Sequence, residues 1–166
     1  MTDLSLALSP LNPADIPAID KLDDRAFGPG RFALTAYRLR EGVAPDFALS
    51  CAARVGTLLV GANRMTPIRC GETPAMLLGP LTVDPPFRSR GIAKAMIECS
   101  LEAARAAGHG LVMLIGDEPY YKRFGFKRSP GGRLTMPGPI DPSRLLYLEL
   151  ADGAFEGVAG VISRAV

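Results

Sequence analysis

The sequence predicts an α/β (or α+β) chain, and three observations carry that prediction. The run Leu77-Leu78-Gly79-Pro80-Leu81-Thr82-Val83 reads as a strand that stops at Asp84-Pro85-Pro86-Phe87. A regular amphipathic pattern then starts at Ile92, and Leu111–Ile115 is a continuous apolar run short enough for a buried strand. Strand, crossover helix and strand together imply a parallel pair. Upstream, two strand-like runs flank Val55-Gly56, which implies an antiparallel hairpin.

Taken in order, Asn12-Pro13 reads as an N-cap with a first-turn proline. Ile16, Ile19, Leu22 and Ala26 recur at helical spacing until Gly28-Pro29-Gly30 breaks the run. A second, weaker helix is expected over residues 32–40. The period then changes, with hairpin strands expected over 47–54 and 57–65 and a further strand over 75–83. Gly79-Pro80 lies inside that strand, and the proline removes a ladder donor, which favours a bulge or a sheet edge. In the next helix Lys94, Glu98, Glu102 and Arg105 form a polar stripe. Ile92, Met96, Cys99 and Ala103 form an apolar one, beside Ala93, Ile97 and Leu101, which places Cys99 in the core. Gly108 supplies a C-terminal stop. A short helix over 120–124 should end at Gly125, and strands are expected near 133–136 and 145–150. The Gly- and Ala-rich stretch 152–166 gives no clear element.

Length and composition bound the rest. A chain of 166 residues, 48% apolar and 22% charged, fits one domain over residues 1–166 with a sizeable core. A net charge of +2 with scattered arginines gives no footprint for nucleic acid. No apolar run is long enough for a membrane span, and Met1-Thr2-Asp3-Leu4-Ser5-Leu6 lacks the basic start and apolar run of a signal peptide. Cys51, Cys70 and Cys99 are widely spaced and read as reduced packing residues, neither disulfide nor metal ligands. No metal is expected, and the cytoplasm is the expected compartment.

Chemistry concentrates at Arg88-Ser89-Arg90-Gly91-Ile92-Ala93. This basic, glycine-containing loop delivers backbone N–H groups and two arginines to a helix start, where anions bind well. It lacks the Gly-Lys-[Ser/Thr] ending of a nucleotide P-loop. The loop matches [Gln/Arg]-x-x-Gly-x-[Gly/Ala], and with Gly116-Asp117-Glu118-Pro119-Tyr120-Tyr121-Lys122-Arg123-Phe124-Gly125-Phe126 and Met136-Pro137-Gly138-Pro139 the chain resembles the GNAT superfamily of acetyl-CoA-dependent N-acetyltransferases, in particular a bacterial subgroup.

That resemblance implies a mixed central sheet of about six to seven strands, splayed in the middle and flanked by about four helices. It implies acetyl-CoA as cosubstrate, with Arg88, Ser89, Arg90, Gly91, Ile92 and Ala93 around its pyrophosphate and the backbone of Leu81 and Val83 along its pantetheine. The implied reaction is direct attack by a primary amine, through a tetrahedral intermediate, with Tyr121 as the general acid and Tyr120 as the alternative. No base is assigned: Asp117, Glu118 and a water chain are all open, and His109, between two glycines, reads as a loop residue. Acceptor contacts are implied around residues 27–37 and on the late hairpin, and Arg31, Arg38 and Arg40 would suit an acidic acceptor. Whether the acceptor is a small molecule, a peptide or a protein lysine stays open. So does the other reading, an acyl-CoA-binding sensor without catalysis. A homodimer through the late strands is the arrangement that analogy suggests.

Overall fold

The computed structural model describes residues 5–165. Met1–Leu4, part of the stretch read above for leader features, and Val166 lie outside the described residues. In chain order the elements are β1 (Leu6–Pro10), α1 (Ile16–Phe27), α2 (Thr35–Arg40), β2 (Cys51–Val55), β3 (Leu58–Cys70) and β4 (Thr73–Val83). They continue with α3 (Ile92–Ala106), β5 (Leu111–Ile115), α4 (Glu118–Tyr121), β6 (Lys127–Arg128), β7 (Leu134–Thr135), β8 (Leu145–Glu149) and β9 (Gly160–Arg164). No described helix is long and apolar enough to cross a membrane.

Local chemistry sets the boundaries. Asn12 and Asp15 form a reciprocal capping box: the Asn12 side chain accepts from Ala14 N, and the Asp15 carboxylate accepts from Asn12 N. A short 3-10 turn leads from there into α1, which ends at Gly28 with φ 73°. The helix expected over 32–40 begins only at Thr35. The Arg31 guanidinium donates to Gly28 O and pairs with Asp24, which ties residues 29–33 into a tight 3-10 turn. The first hairpin strand likewise starts late, at Cys51. Asp46 accepts from the N–H groups of Ala48 and Leu49 and so holds 47–49 in a turn.

The sheet order is β1-β2-β3-β4-β5-β8-β6, with β9 paired to β3 and β7. All pairs are antiparallel except β4 with β5 and β7 with β9, so the sheet is mixed. Nine strands form among the described residues, beyond the six or seven expected; β1, β6 and β9 are the additions. β1 is an edge strand whose Leu6 and Leu8 are both exposed, so it shows no buried alternation. The strand expected near 133–136 shrinks to β7.

Both faces of the sheet centre are buried, which is why β5 reads as unbroken hydrophobicity. Leu77, Leu111, Met113 and Leu145 pack on one face with Leu39 of α2 and with Phe155, Val158 and Ile162 of the C-terminal segment. Met76, Leu78, Val112, Leu114 and Leu146 pack on the other face with Ile97, Leu101 and Ala104 of α3. The Lys94–Glu98 and Glu102–Arg105 pairs form on the solvent side of α3 as the spacing predicted. Cys99 is the exception: it is exposed, and Ser100 takes the inner position. The cause is a buried hydrogen bond, 2.9 Å, from Asn63 Nδ2 to Ser100 Oγ, which turns the seam of α3 one residue away from the apolar stripe.

The β3–β4 hairpin turns at Gly71, whose φ of 61° is left-handed. A Cβ there would lie 2.1 Å from Ala159 O, a backbone atom that cannot swing aside. Gly71→Ala should therefore cost about 2–4 kcal/mol, from left-handed strain plus overpacking. A lowered urea midpoint with an unchanged slope is the expected result, and an unshifted midpoint would contradict it.

Candidate functional site

The site grows from an irregularity in β4. Asn63 pairs with Leu81 and Met65 with Leu78, so β4 takes three steps where β3 takes two. The extra residue falls at Gly79-Pro80, the bulge expected from the missing proline donor. On its other side β4 pairs with β5 only at Met76↔Val112 and Leu77↔Met113, after which the two strands part. Between them lies a cavity of about 730 Å³, walled by Leu78–Leu81 and by Leu114–Asp117 and closed below by Tyr120 and Tyr121. Asp84 N donates to Val60 O at 2.8 Å, which turns alternate residues of β4 toward β3. By strand alternation Leu81 and Val83 direct their backbone groups the other way, into the opening. Arg88 Nε, 3.3 Å from Val83 O, shows that orientation directly.

Beyond β4 a 3-10 turn over Pro85–Phe87 leads to an extended Arg88. Ser89 (φ 63°) and Gly91 (φ 78°) are both left-handed, and Gly91 is the N-cap of α3. No side chain caps this helix, so the N–H groups of Ile92, Ala93 and Lys94 have no intrahelical partner. They border a second cavity, of about 340 Å³, lined also by Val83, Arg88, Ser89, Tyr120 and Arg123. A Cβ on Gly91 would meet nothing within 4 Å, so the approach to these donors is open. Ile92 is 3% exposed and packs with Met96, leaving only its backbone for a ligand. Arg90 departs from expectation: its guanidinium lies over the Phe87 ring at 5.3 Å, and it does not line the cavity. A row of free N–H donors plus Arg88 suits a pyrophosphate, and the gap beside Leu81 and Val83 suits a slim chain with amides. The residues present therefore fit coenzyme A.

Tyr121 stands at the floor of the gap, edge-on to Tyr120 and Phe126. Its ring needs Gly116, since a Cβ there would lie 2.6 Å from Tyr121 Cε2. Burial, with Tyr120 and Asp117 nearby, raises the Tyr121 pKa to about 12. Tyr120 lines both cavities. Asp117 and Glu118 are held by Arg144 and Arg128 at 3.8 Å each. His109 stands in the turn after α3, its N–H bonded to Ala104 O at 3.0 Å. Among the described residues no group of three or more His, Cys, Asp or Glu side chains could hold a metal ion.

One feature escaped the sequence reading. Asp23 of α1 is 2% exposed, accepts from Thr82 Oγ1 at 2.6 Å and lies 3.4 Å from Arg64, which also pairs with Asp20. Burial raises its pKa despite the hydroxyl and the arginine. Asp20, Asp23 and Arg64 line a third cavity, of about 540 Å³, on the far side of Pro80. Asp23, Arg64 and Thr82 come from α1, β3 and β4, and no local pattern could have joined them.

Comparison with known proteins agrees with this fold. Residues 49–128 match the acetyltransferase (GNAT) domain family. The chain is similar to the uncharacterized N-acetyltransferase YhbS of Escherichia coli strain K12, 29% identical over 152 residues and 90% of each chain. It superposes on the crystal structure of E. coli YhbS in complex with CoA with a TM-score of 0.83 at 27% identity, covering 99% of this chain and 92% of that one. A GNAT family acetyltransferase from Brucella melitensis, in complex with acetyl-CoA, shares the fold with a TM-score of 0.61 at 24% identity over 92% of this chain and 99% of that one.

Tyrosine ionises near 10 in an unfolded chain, whereas folding moves Tyr121 to about 12. The stability carried by its protonated form is complete below about pH 10 and is lost as pH climbs toward 12. Ultraviolet titration of the four tyrosines should show one ionising late, and Tyr121→Phe should remove that late step.

Proposed function

We propose that the chain is a GNAT acetyltransferase that, as a single domain, transfers the acetyl group of acetyl-CoA to a primary amine. The observation that carries this reading is the alignment of three cavities. Tyr120 is common to the loop cavity and the gap, while Pro80 and Arg40 are common to the gap and the third cavity. A ligand anchored at α3 and threaded past Leu81 and Val83 thus meets an acceptor entering from the α1–α2 side. The likeness to a bacterial N-acetyltransferase favours the cytoplasm as its compartment.

When bound, acetyl-CoA supplies an activated thioester carbonyl. The N-terminus of α3 offers its free N–H groups and about half a positive charge to the pyrophosphate, with Arg88 beside them. Ser89 and Gly91 shape the backbone of this cradle, and Ile92 and Ala93 supply its donors. Arg90 acts from outside it. The backbone of Leu81 and Val83 would hold the pantetheine, and an N–H of the same strand would be available to polarise the carbonyl.

Tyr121 keeps its proton at any neutral pH, because its pKa stands near 12. A thiolate in water is a weaker base by roughly three pK units, so complete transfer would be uphill there. The burial that raises Tyr121 raises a neighbouring sulfur too. The hydroxyl therefore serves as a hydrogen-bond donor whose proton moves as the carbon–sulfur bond breaks. On the other side, burial raises the pKa of Asp23, whose carboxylate borders the acceptor cavity.

Two experiments test the reading. Calorimetry should show saturable acetyl-CoA binding that is lost in Gly91→Trp, whose indole would fill the loop cavity; a well-folded wild type that binds nothing would overturn the proposal. In Tyr121→Phe, kcat should fall on the order of a hundredfold while acetyl-CoA affinity holds. Undiminished turnover would remove Tyr121 as the acid. Tight binding with no product from a broad amine panel would favour the sensor.

A further inference from the structure

The third cavity holds a cation without a counterion. Each of the other arginines lining it is engaged. Arg31 pairs with Asp24 and donates to Gly28 O, Arg64 is bound by Asp20 and Asp23, and Arg38 donates to Pro137 O at 2.7 Å. Arg40, at the end of α2, has no carboxylate within 4.0 Å and no side-chain hydrogen bond among the described residues. Its Nε is shut off from solvent with no partner. Among the described residues its guanidinium stands over the face of Tyr37, 5.1 Å away. Glu41, next in sequence, lines the same cavity but forms no ion pair with it.

A half-buried guanidinium whose Nε is closed off without a partner is costly, and the cost is recovered when an anion arrives. Burial lowers the Arg40 pKa only to about 10, so the charge persists at neutral pH. Its position decides which ligand the anion belongs to. Arg40 Nη2 lies 3.2 Å from where a Gly79 Cβ would stand, at the bulge that separates the acceptor cavity from the gap. The phosphate-binding loop borders a different cavity, which Arg40 does not line. The Asp23 carboxylate faces the same acceptor cavity and provides a place for an ammonium group. Phe27, Phe32 and Leu34, all exposed, give the mouth of the site an apolar rim.

Resting on the acetyltransferase reading, we propose that the acceptor is a zwitterionic amine, an amino acid with an apolar side chain being the simplest, whose carboxylate is bound by Arg40. A planar guanidinium matches a carboxylate through two parallel N–H donors, which an ammonium cannot reproduce. An amine lacking the carboxylate leaves Arg40 unpaired, so the site discriminates by what it fails to satisfy.

The test measures coenzyme A release by the full chain with acetyl-CoA and matched acceptors: L-phenylalanine, L-phenylalaninamide, 2-phenylethylamine, the corresponding leucine series, and O-phosphoethanolamine. Rates are expressed per neutral amine, because an amide neighbour makes the amine less basic and would otherwise favour the wrong member. In the wild type, kcat/KM for the carboxylates should exceed that of their amides and decarboxylated forms by on the order of tenfold or more. Arg40→Gln should erase that ratio, and Arg40→Lys should restore part of it, with circular dichroism confirming that both variants fold.

Equal kcat/KM across each series, or a ratio that survives Arg40→Gln, overturns the proposal. So does an equal loss in Arg40→Gln for every acceptor, which would make Arg40 a structural or acyl-side group. Turnover confined to O-phosphoethanolamine overturns the carboxylate assignment. Wild-type acetyl-CoA binding with no acceptance of any probe overturns the zwitterion and leaves the acetyl-CoA pocket standing, whereas absent acetyl-CoA binding overturns the parent reading.

Discussion

The parting of β4 from β5 after Leu77 is the constraint on which the rest of the molecule depends. Two strands buried on both faces would ordinarily zip to their ends, since unpaired backbone groups in an interior are costly. Here β4 is held along its far edge by β3, and β5 by β8 over all five of its residues, so each strand stays ordered without the other. The bulge at Gly79-Pro80, on the edge that β4 shares with β3, re-aims the strand just beyond the point where β4 and β5 part. What remains is a slot bordered by backbone groups in want of partners, with a helix N-terminus at one end. A molecule that is both a polyanion and a chain of amides satisfies both wants.

The two ends of the slot handle charge in different ways. At the α3 end the attraction comes mainly from exposed backbone N–H groups, which cost little to keep solvated when empty. At the α1–α2 end it comes from buried side chains. Asp23, Thr82 and Arg64 satisfy one another, so their burial is tolerable, and they bind α1 to β3 and β4. Buried charge of this kind is better suited to choosing among ligands than to gathering them, since an unmatched partner is penalised there more heavily than in water.

Much of this was legible in the sequence wherever periodicity and punctuation coincide. α3 and β5 were readable because a long amphipathic repeat ends in Gly108 and a short apolar run follows it. The loop was readable because Gly91 and its neighbours state a backbone requirement as residue types. The bulge was readable from one proline. Legibility failed where a neighbour distant in sequence sets the outcome. β1 is an exposed edge, and β9 arises in a Gly-rich stretch that becomes a strand only against β3 and β7. Cys99 was misplaced because Asn63, on a strand, selects Ser100 for the interior. The Asp23 cluster and the isolation of Arg40 are facts about three or more elements at once, so single-element patterns do not register them.

The outward turn of Cys99 has a practical side. Cys51 and Cys70 are buried, and burial raises their thiols to about 12 and about 11, so neither is nucleophilic near neutrality. Cys99 is therefore the only one of the three thiols open to a maleimide, and the native chain carries a single labelling position without any engineering. It sits on α3 seven residues past Ile92, about 10 Å along the helix from the phosphate-facing first turn. A fluorophore attached there would ride on the same rigid rod as the loop donors while keeping clear of the slot.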